Sequence, residues 1–491
     1  MKKKRALSVS MALLMLASTI SLMGCGSSKK DYDVYIYNTK SEIADSYEKL
    51  ASEYEKETGI KVKVLTSGTD TAMETLRSEV TSKDYPTIFS CNASQVKEWV
   101  EGKYATDAAE IENTELKALY ESIPDSMKLT SSGSGNYGIP YSVEGYGLIA
   151  NKNMIKDILG LDNADGFIAD YKVATYDEVA EMVKAMDEYI KGTGAINFTL
   201  NGNTYTTASE KTDLTKSLNG VFAIAGAEKW TYGNHYSNYA LNAVFNTYDA
   251  AINATKEQVE ALREPLKKSL LELGEITNYT AGPEGALTRG SEYINSTVSS
   301  YDIEVQTFSQ GKAIFIKQGN WIYSNVAGID QTVADNLCML PVKLNFDKRD
   351  IAAENMTVEK MNQSVSEFVS QYYIVNEKAS STEKKNAEDF LVWLYTSDTG
   401  KDYILNQFEF VPFNADSNTN LTNPLSIDLI SYKNDGNVLS NCFDAVPNSW
   451  GVNAYGKVIM ENLLTNPDKW SDSDIDAAVD ECINYWNKNL K

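Results

Sequence analysis

The sequence predicts an α/β protein built in more than one lobe, and three observations carry that reading. Short β-rich runs alternate with stretches of helical periodicity, the pattern of a mostly parallel sheet. Roughly 460 residues follow an N-terminal leader, more than a single hydrophobic core usually holds. Beyond that leader, no run is long and apolar enough to read as a membrane helix.

The leader comes first. Lys2, Lys3, Lys4 and Arg5 precede the apolar run at 12–20. That run is too short to span a bilayer and reads as the core of a signal peptide over residues 1–24. Leu22-Met23-Gly24-Cys25 resembles a bacterial lipobox, in which the cysteine becomes the acylated first residue. Cys25 is therefore the expected lipidation site, and 25–31 a polar, lipidated tether.

The elements follow in order. "DVYIY" (33–37) is β-rich, and Ile43, Tyr47, Leu50 and Tyr54 then recur at helical spacing. Gly59 ends that helix, and "IKVKVL" (60–65) alternates like a strand. Met73, Leu76 and Val80 mark a second helix, "PTIFSC" (86–91) a strand, and "SQVKEWV" the start of another helix. "YGIPYSVEGYGLIANKN" (137–153) reads as a strand, a turn around Glu144 and Gly145, and a second strand. Residues 151–300 are more helical, and Val179, Met182, Val183, Met186 and Ile190 share one helix face. Ser380 with Glu383 forms a capping box, opening a helix that turns Ala387, Phe390, Leu391, Leu394 and Tyr395 inward. "SDSDIDAAVDECINYWNKNL" is a final amphipathic helix with the acidic start that the helix dipole prefers.

Composition excludes several chemistries. Without residues 1–24 the chain holds 41 basic against 68 acidic residues, a net charge of −27 that repels nucleic acid and favours solubility. Cys91, Cys338, Cys442 and Cys482 have no CxxC spacing and read as buried thiols, with a Cys442–Cys482 bridge left open. His235 is the single histidine, which argues against histidine-rich zinc sites and Ser-His-Asp or Cys-His schemes. "LDNADGFIADYK" fails as a calcium loop, because Gly166 at the sixth position puts Leu161 first and Lys172 twelfth. "GSGNYG" (133–138) follows no clear strand and lacks a P-loop lysine. No metal and no cofactor is expected.

In α/β sheets, ligands sit beyond the carboxyl ends of strands. The first such end carries Asn38 and Lys40, another carries Asn92, Ser94 and Gln95, and the 137–153 segment carries Tyr141 and Glu144. Amides, hydroxyls, one lysine and one carboxylate suit a neutral polyhydroxyl ligand. A sugar has an apolar C–H face and a polar rim; an aromatic side chain covers the face while a few convergent polar groups take the rim. Trp321 and Trp450 are the candidate face-covering residues, and Trp230 and Tyr232 candidate cleft walls. Trp99, Trp393 and Trp486 lie in helical patterns and read as structural. The 30 tyrosines against 14 phenylalanines favour surfaces apolar in the middle and polar at the edge.

Taken together, the segments "YGIPYSVEGYGLIANKNMI", "QGKAIFIKQGNWIYSNV", "CMLPV" and "STEKKNAEDFLVWLYTSDTGKDYI" resemble, in order, those of extracytoplasmic solute-binding proteins of ABC importers, in the carbohydrate-binding class that includes maltose-binding protein. The resemblance implies a two-lobe periplasmic-binding-protein-like fold, with hinged lobes joined by crossing strands. It places lobe 1 at 32–150 and 342–400 and lobe 2 at 151–341 and 401–491. Lys40 and Glu144 match positions that hydrogen-bond sugar hydroxyls, and Trp321 and Trp450 match stacking aromatics. Two positions depart from the pattern: Ser90 stands where maltose-binding protein has a stacking tryptophan, and Thr39 replaces an acid. The segment 347–368 is also longer than the usual connection. The resemblance further implies a monomer without enzymatic activity, handing a carbohydrate, an oligosaccharide by expectation, to ABC permease subunits. Its only hold on the membrane would be the lipid, at the outer face of the bacterial cytoplasmic membrane. A lipid-anchored glycan adhesin and a glycoside hydrolase are the competing readings; the latter needs two carboxyl groups about 5–10 Å apart, and no motif marks such a pair.

Overall fold

The computed structural model describes residues 30–67, 72–447 and 450–490; the leader and Cys25 lie outside them. Eleven strands are described: β1 (Val34–Asn38), β2 (Val62–Thr66), β3 (Ile88–Cys91), β4 (Ile139–Asn151), β5 (Asn197–Leu200), β6 (Asn203–Thr206), β7 (Gly220–Ala223), β8 (Ala313–Gly319), β9 (Leu337–Leu340), β10 (Val365–Val375) and β11 (Val438–Leu439). The main sheet runs β2-β1-β3-β10-β4-β8-β7, with β9 also on β4 and β11 on β10, while β5 and β6 form a separate hairpin. Pairing is parallel at β1–β2, β1–β3 and β7–β8, and antiparallel wherever β4 or β10 meets β3, β8, β9 or the other of the pair.

The early helices form for the reasons the sequence gives. Ala44–Thr58 buries Tyr47, Leu50, Ala51 and Tyr54 and ends at Gly59, whose φ of 76° lies in the left-handed region. Tyr176–Lys191 starts with a Thr175–Glu178 capping box and buries Val179, Met182, Val183 and Met186. The Ser380–Glu383 box opens Ser381–Thr396, and Ser471–Asp474 opens Asp472–Asn489.

The expected turn at Glu144 is absent. β4 is one unbroken strand of 13 residues, buried along its length. The ladder simply continues through the expected break: Glu144 faces Phe368 and Gly145 faces Glu367 on β10. Beyond Tyr146, β10 gives way to β9, which pairs Leu148–Asn151, while β8 pairs 146–150 on the opposite edge. One strand thus exchanges partners along its length within the main sheet. Gly147 sits where the partners change, and a Cβ there would lie 2.3 Å from the Leu340 carbonyl oxygen. The neighbouring backbone leaves no space for any side chain.

Alternation along the second half of the sheet separates two cores. Leu148, Ala150, Cys338 and Leu340 face one, and Ile149, Leu337 and Met339 the other. Each core gathers residues from distant parts of the chain. Val342, Leu344, Phe346 and Met361 join the core of the second lobe, whereas Ile404, Phe410, Leu429 and Tyr432 join the core that holds β1 and β3. Cys91, Cys338, Cys442 and Cys482 are free, buried thiols, so the Cys442–Cys482 bridge does not form. Cys442 Sγ instead approaches the Thr247 carbonyl at 3.5 Å.

Candidate ligand-binding site

Lys40 follows β1, Glu144 sits midway along β4, and their side chains meet at 2.5 Å. Only 12% of the lysine side chain and 8% of the carboxylate side chain are exposed, so the pair is largely withdrawn from water. Asn38 sets the lysine in place. Its Oδ1 accepts from the Lys40 backbone N–H at 3.0 Å and from the Tyr141 hydroxyl at 2.9 Å, while its Nδ2 donates to the Lys40 carbonyl and to Thr66. Asn38 and Tyr141 are thus buried supports of Lys40. The Lys40 ammonium also lies 5.5 Å from the centre of the Phe410 ring, a cation–π contact.

The opposite wall comes from the end of β8. Asn320 Oδ1 accepts from the Gly145 N–H, its Nδ2 donates to Ser426, and its carbonyl accepts from Asn423. These bonds fix the turn that carries Trp321, a half-buried ring. Lys40, Ser142, Glu144, Trp321, Glu409 and Phe410 surround one small pocket of about 20 Å³. A pocket of that size holds about one water. Glu409 is a second carboxylate in this wall, held at φ 56°, and burial pushes its carboxyl above the ordinary range.

Behind Trp321 lies an aromatic cluster centred on His235. Its ring stacks on Tyr146 at 4.2 Å and 16°, and lies 5.1 Å from Trp230, 5.3 Å from Trp321 and 5.6 Å from each of Phe368 and Phe443. Burial and the nearby Lys317 hold the imidazole well below its usual pKa, so it is neutral and acts as a packing group. Trp230 donates its indole N–H to Glu228, which also accepts from the Tyr301 backbone. Glu228 is therefore a positioning residue that sequence reasoning missed, although it stands two residues before Trp230.

Other expected site residues lie elsewhere. Tyr232 is buried and donates to the Ala225 carbonyl, behind the cleft wall. Asn92 caps the short turn at 93–95: its Oδ1 accepts from Ser94, and Gln95 accepts from its N–H. Trp450 is fully buried in the second lobe; its N–H donates to the Cys482 carbonyl and its ring packs on Tyr455 and Trp486. The helix around Trp450 is drawn inward because Gly451 meets Gly233, where a Cβ on Gly233 would lie 2.0 Å from the Gly451 carbonyl oxygen. Ser90 and Thr39, the two departures from the expected pattern, bond to each other at 3.1 Å beneath the first-lobe wall. Trp99 packs on Phe89, Trp393 donates to Glu57, and Trp486 packs on Phe245, all structural as expected.

The pocket is thus framed by the Lys40–Glu144 pair, Glu409 and the ring of Trp321. The family described as bacterial extracellular solute-binding protein matches residues 49–428. The chain belongs to that family. No curated protein sequence matches this solute-binding protein. Its fold is similar to that of RafE in complex with raffinose, with a TM-score of 0.61 and 16% identity, covering 93% of this chain and 98% of that one. It is also similar to apo RafE from Streptococcus pneumoniae (TM-score 0.60, 16% identity, 93% and 97% covered) and to a chitin oligosaccharide binding protein (TM-score 0.60, 16% identity, 93% and 98% covered). These likenesses establish the two-lobe α/β fold of the solute-binding protein. Among its described residues, no helix is long and apolar enough to cross a membrane.

Proposed function

We propose that this solute-binding protein captures a carbohydrate, an oligosaccharide in the first instance, between its lobes and delivers it to an ABC permease. The observation that carries the reading is the pairing of Trp321 with the Lys40–Glu144 ion pair across one pocket. The ring offers an apolar face. The carboxylate and lysine offer an acceptor and a donor already held in place, so little ordering remains for the ligand to bring about. Similar folds whose ligands are raffinose and a chitin oligosaccharide support the choice of ligand class. No chemistry on the ligand and no cofactor is invoked.

In this reading, Lys40, Glu144 and Trp321 contact the sugar directly, with Trp230 as a further wall once the lobes part. Asn38 and Tyr141 hold Lys40, and Asn320 holds the Trp321 turn. The pocket is too small for a sugar as it stands, so loading requires the lobes to separate about β4 and β10. Ligand then favours the closed arrangement through contacts made only there. Acylation of Cys25 would keep the monomer at the outer face of the cytoplasmic membrane.

A panel of oligosaccharides, including raffinose and chitin oligosaccharides, screened by thermal shift and followed by calorimetry, tests the reading. A charge-assisted hydrogen bond is worth roughly 1.5–3 kcal/mol, so Glu144→Gln weakens the best ligand by roughly tenfold to a hundredfold. Unchanged affinity in Glu144→Gln and Trp321→Ala together would remove this pocket from the binding site. Turnover of a bound glycan by the wild type, lost in Glu144→Gln or in Glu409→Gln, would establish the hydrolase reading instead.

A further inference from the structure

A second cavity, of about 440 Å³, opens in the second lobe between the helices Tyr176–Lys191 and Arg263–Thr277. It shares no lining residue with the pocket at Lys40 and Glu144. Its volume is in the range of small-molecule sites. Leu148 and Phe222 of the sheet form its floor, Val183 and Ile276 its flanks, and Tyr176 and Tyr279 also line it.

Two buried polar groups in this wall lack partners. Glu272 is 3% exposed; its Oε1 accepts from the Asn345 backbone N–H, while its Oε2 has no partner among the described residues. Tyr171, fully buried and also lining the cavity, leaves its hydroxyl equally unpartnered. Two of the three lysines in the lining are engaged elsewhere, and the third, Lys184, is exposed. Lys268 is bound to Asp347 and Asp350, and Lys343 donates to the carbonyls of Lys172 and Asn362. A buried acceptor left open is costly, and a bound donor would relieve that cost.

We propose that this cavity is a second ligand site, separate from the pocket at Lys40 and Glu144, and that it takes a primary ammonium on an aromatic or aliphatic body. The ammonium meets Glu272 Oε2, and the carboxyl, which burial keeps protonated, gives up its proton to solvent as the cation binds. The body lies over Leu148 and Phe222, where Tyr176 and Tyr279 add cation–π and apolar contact. Asp177 and Glu275 share the lining with Lys184, Lys268 and Lys343, so the preference for a cation rests on the unpartnered Glu272 oxygen.

Three probes that share one body and differ in their head group provide the test: phenethylamine, phenethyl alcohol and phenylacetate. Ligand-observed NMR and calorimetry are run on the protein from residue 25 onward, with melting curves as the fold control. Phenethylamine is expected to bind the wild type, and Glu272→Gln to weaken it by about tenfold or more. Val183→Trp, which fills the cavity, should abolish binding. Should that variant fail to fold, Glu272→Gln decides alone, since the amide preserves the shape of the carboxyl. No phenethylamine binding in the millimolar range, or equal binding in folded Glu272→Gln, overturns the proposal. So does tighter binding of the alcohol or the acid than of the amine.

Discussion

Replacing Lys40 with methionine tests the Lys40–Glu144 pair most directly. The change keeps most of the lysine's apolar stem and removes its charge. It leaves the Glu144 carboxylate, with 8% of its side chain exposed, without the cation 2.5 Å away. Removing one partner of a buried ion pair destabilises by about 3–5 kcal/mol, and the partial exposure of Lys40 argues for the lower end, about 3 kcal/mol. Replacing both partners with neutral groups of similar shape is close to neutral, so Lys40→Met/Glu144→Gln should recover about 2 kcal/mol of that loss. Urea unfolding followed by tryptophan fluorescence measures the cycle, and calorimetry on the best glycan measures binding in the same four proteins. The double variant should be more stable than Lys40→Met and still bind weakly, which separates a stability defect from a lost ligand contact. Single losses that add to within about 0.5 kcal/mol in the double variant would show that the two side chains are not coupled, and the reasoning would fail.

Four further outcomes are expected. Trp321→Ala should weaken glycan binding with little change in melting temperature, whereas Trp450→Ala should lower stability by about 3–5 kcal/mol because it empties a fully buried site. In X-ray scattering, the free protein should contract on adding a confirmed glycan ligand, and an unchanged radius of gyration would count against hinge closure. Burial raises the Glu272 carboxyl from 4.5 to about 8, and Lys268, Tyr176, Tyr236 and Tyr455 are the ionisable groups that face it. The fold therefore holds a proton that the unfolded chain releases: this contribution to stability is full below about pH 4.5, declines as pH rises and is lost through about pH 8, so Glu272→Gln should flatten the fall in melting temperature between those limits. Cys25→Ala should abolish incorporation of labelled fatty acid, and labelling that persists would rule out Cys25 as the anchor.

Much of the fold was legible because local signals agreed with one another. The helix at Ala44–Thr58, its glycine stop and the capping boxes at Thr175 and Ser380 rest on neighbouring residues alone. The turn at Glu144 was misread because Glu-Gly looks like punctuation, and only the ladder to β10, more than two hundred residues away, keeps that strand straight. Lys40 and Trp321 lie just beyond the ends of β1 and β8, where the strand-end rule looks, whereas Glu144 lies midway along β4. The full burial of Trp450 was not legible, because whether a tryptophan is buried depends on how its helix is drawn in, here by the contact of Gly451 with Gly233. Glu228 and Asn320 were missed for a related reason. Their roles are to orient Trp230 and Trp321, and an orienting residue has no distinctive pattern of its own.

The place of β10 in the sheet has a consequence for the newly made chain. β3 and β4 are not neighbours; β10 lies between them. A polypeptide emerging from its N-terminus therefore presents β1 to β4 well before the strand that must join them exists. The first lobe cannot close its sheet until residues 365–375 have appeared, and the helix Pro424–Asn434 that packs on β4 and β10 comes later still. Contacts of such long sequence separation form slowly. The topology itself delays the native state until most of the chain has been made.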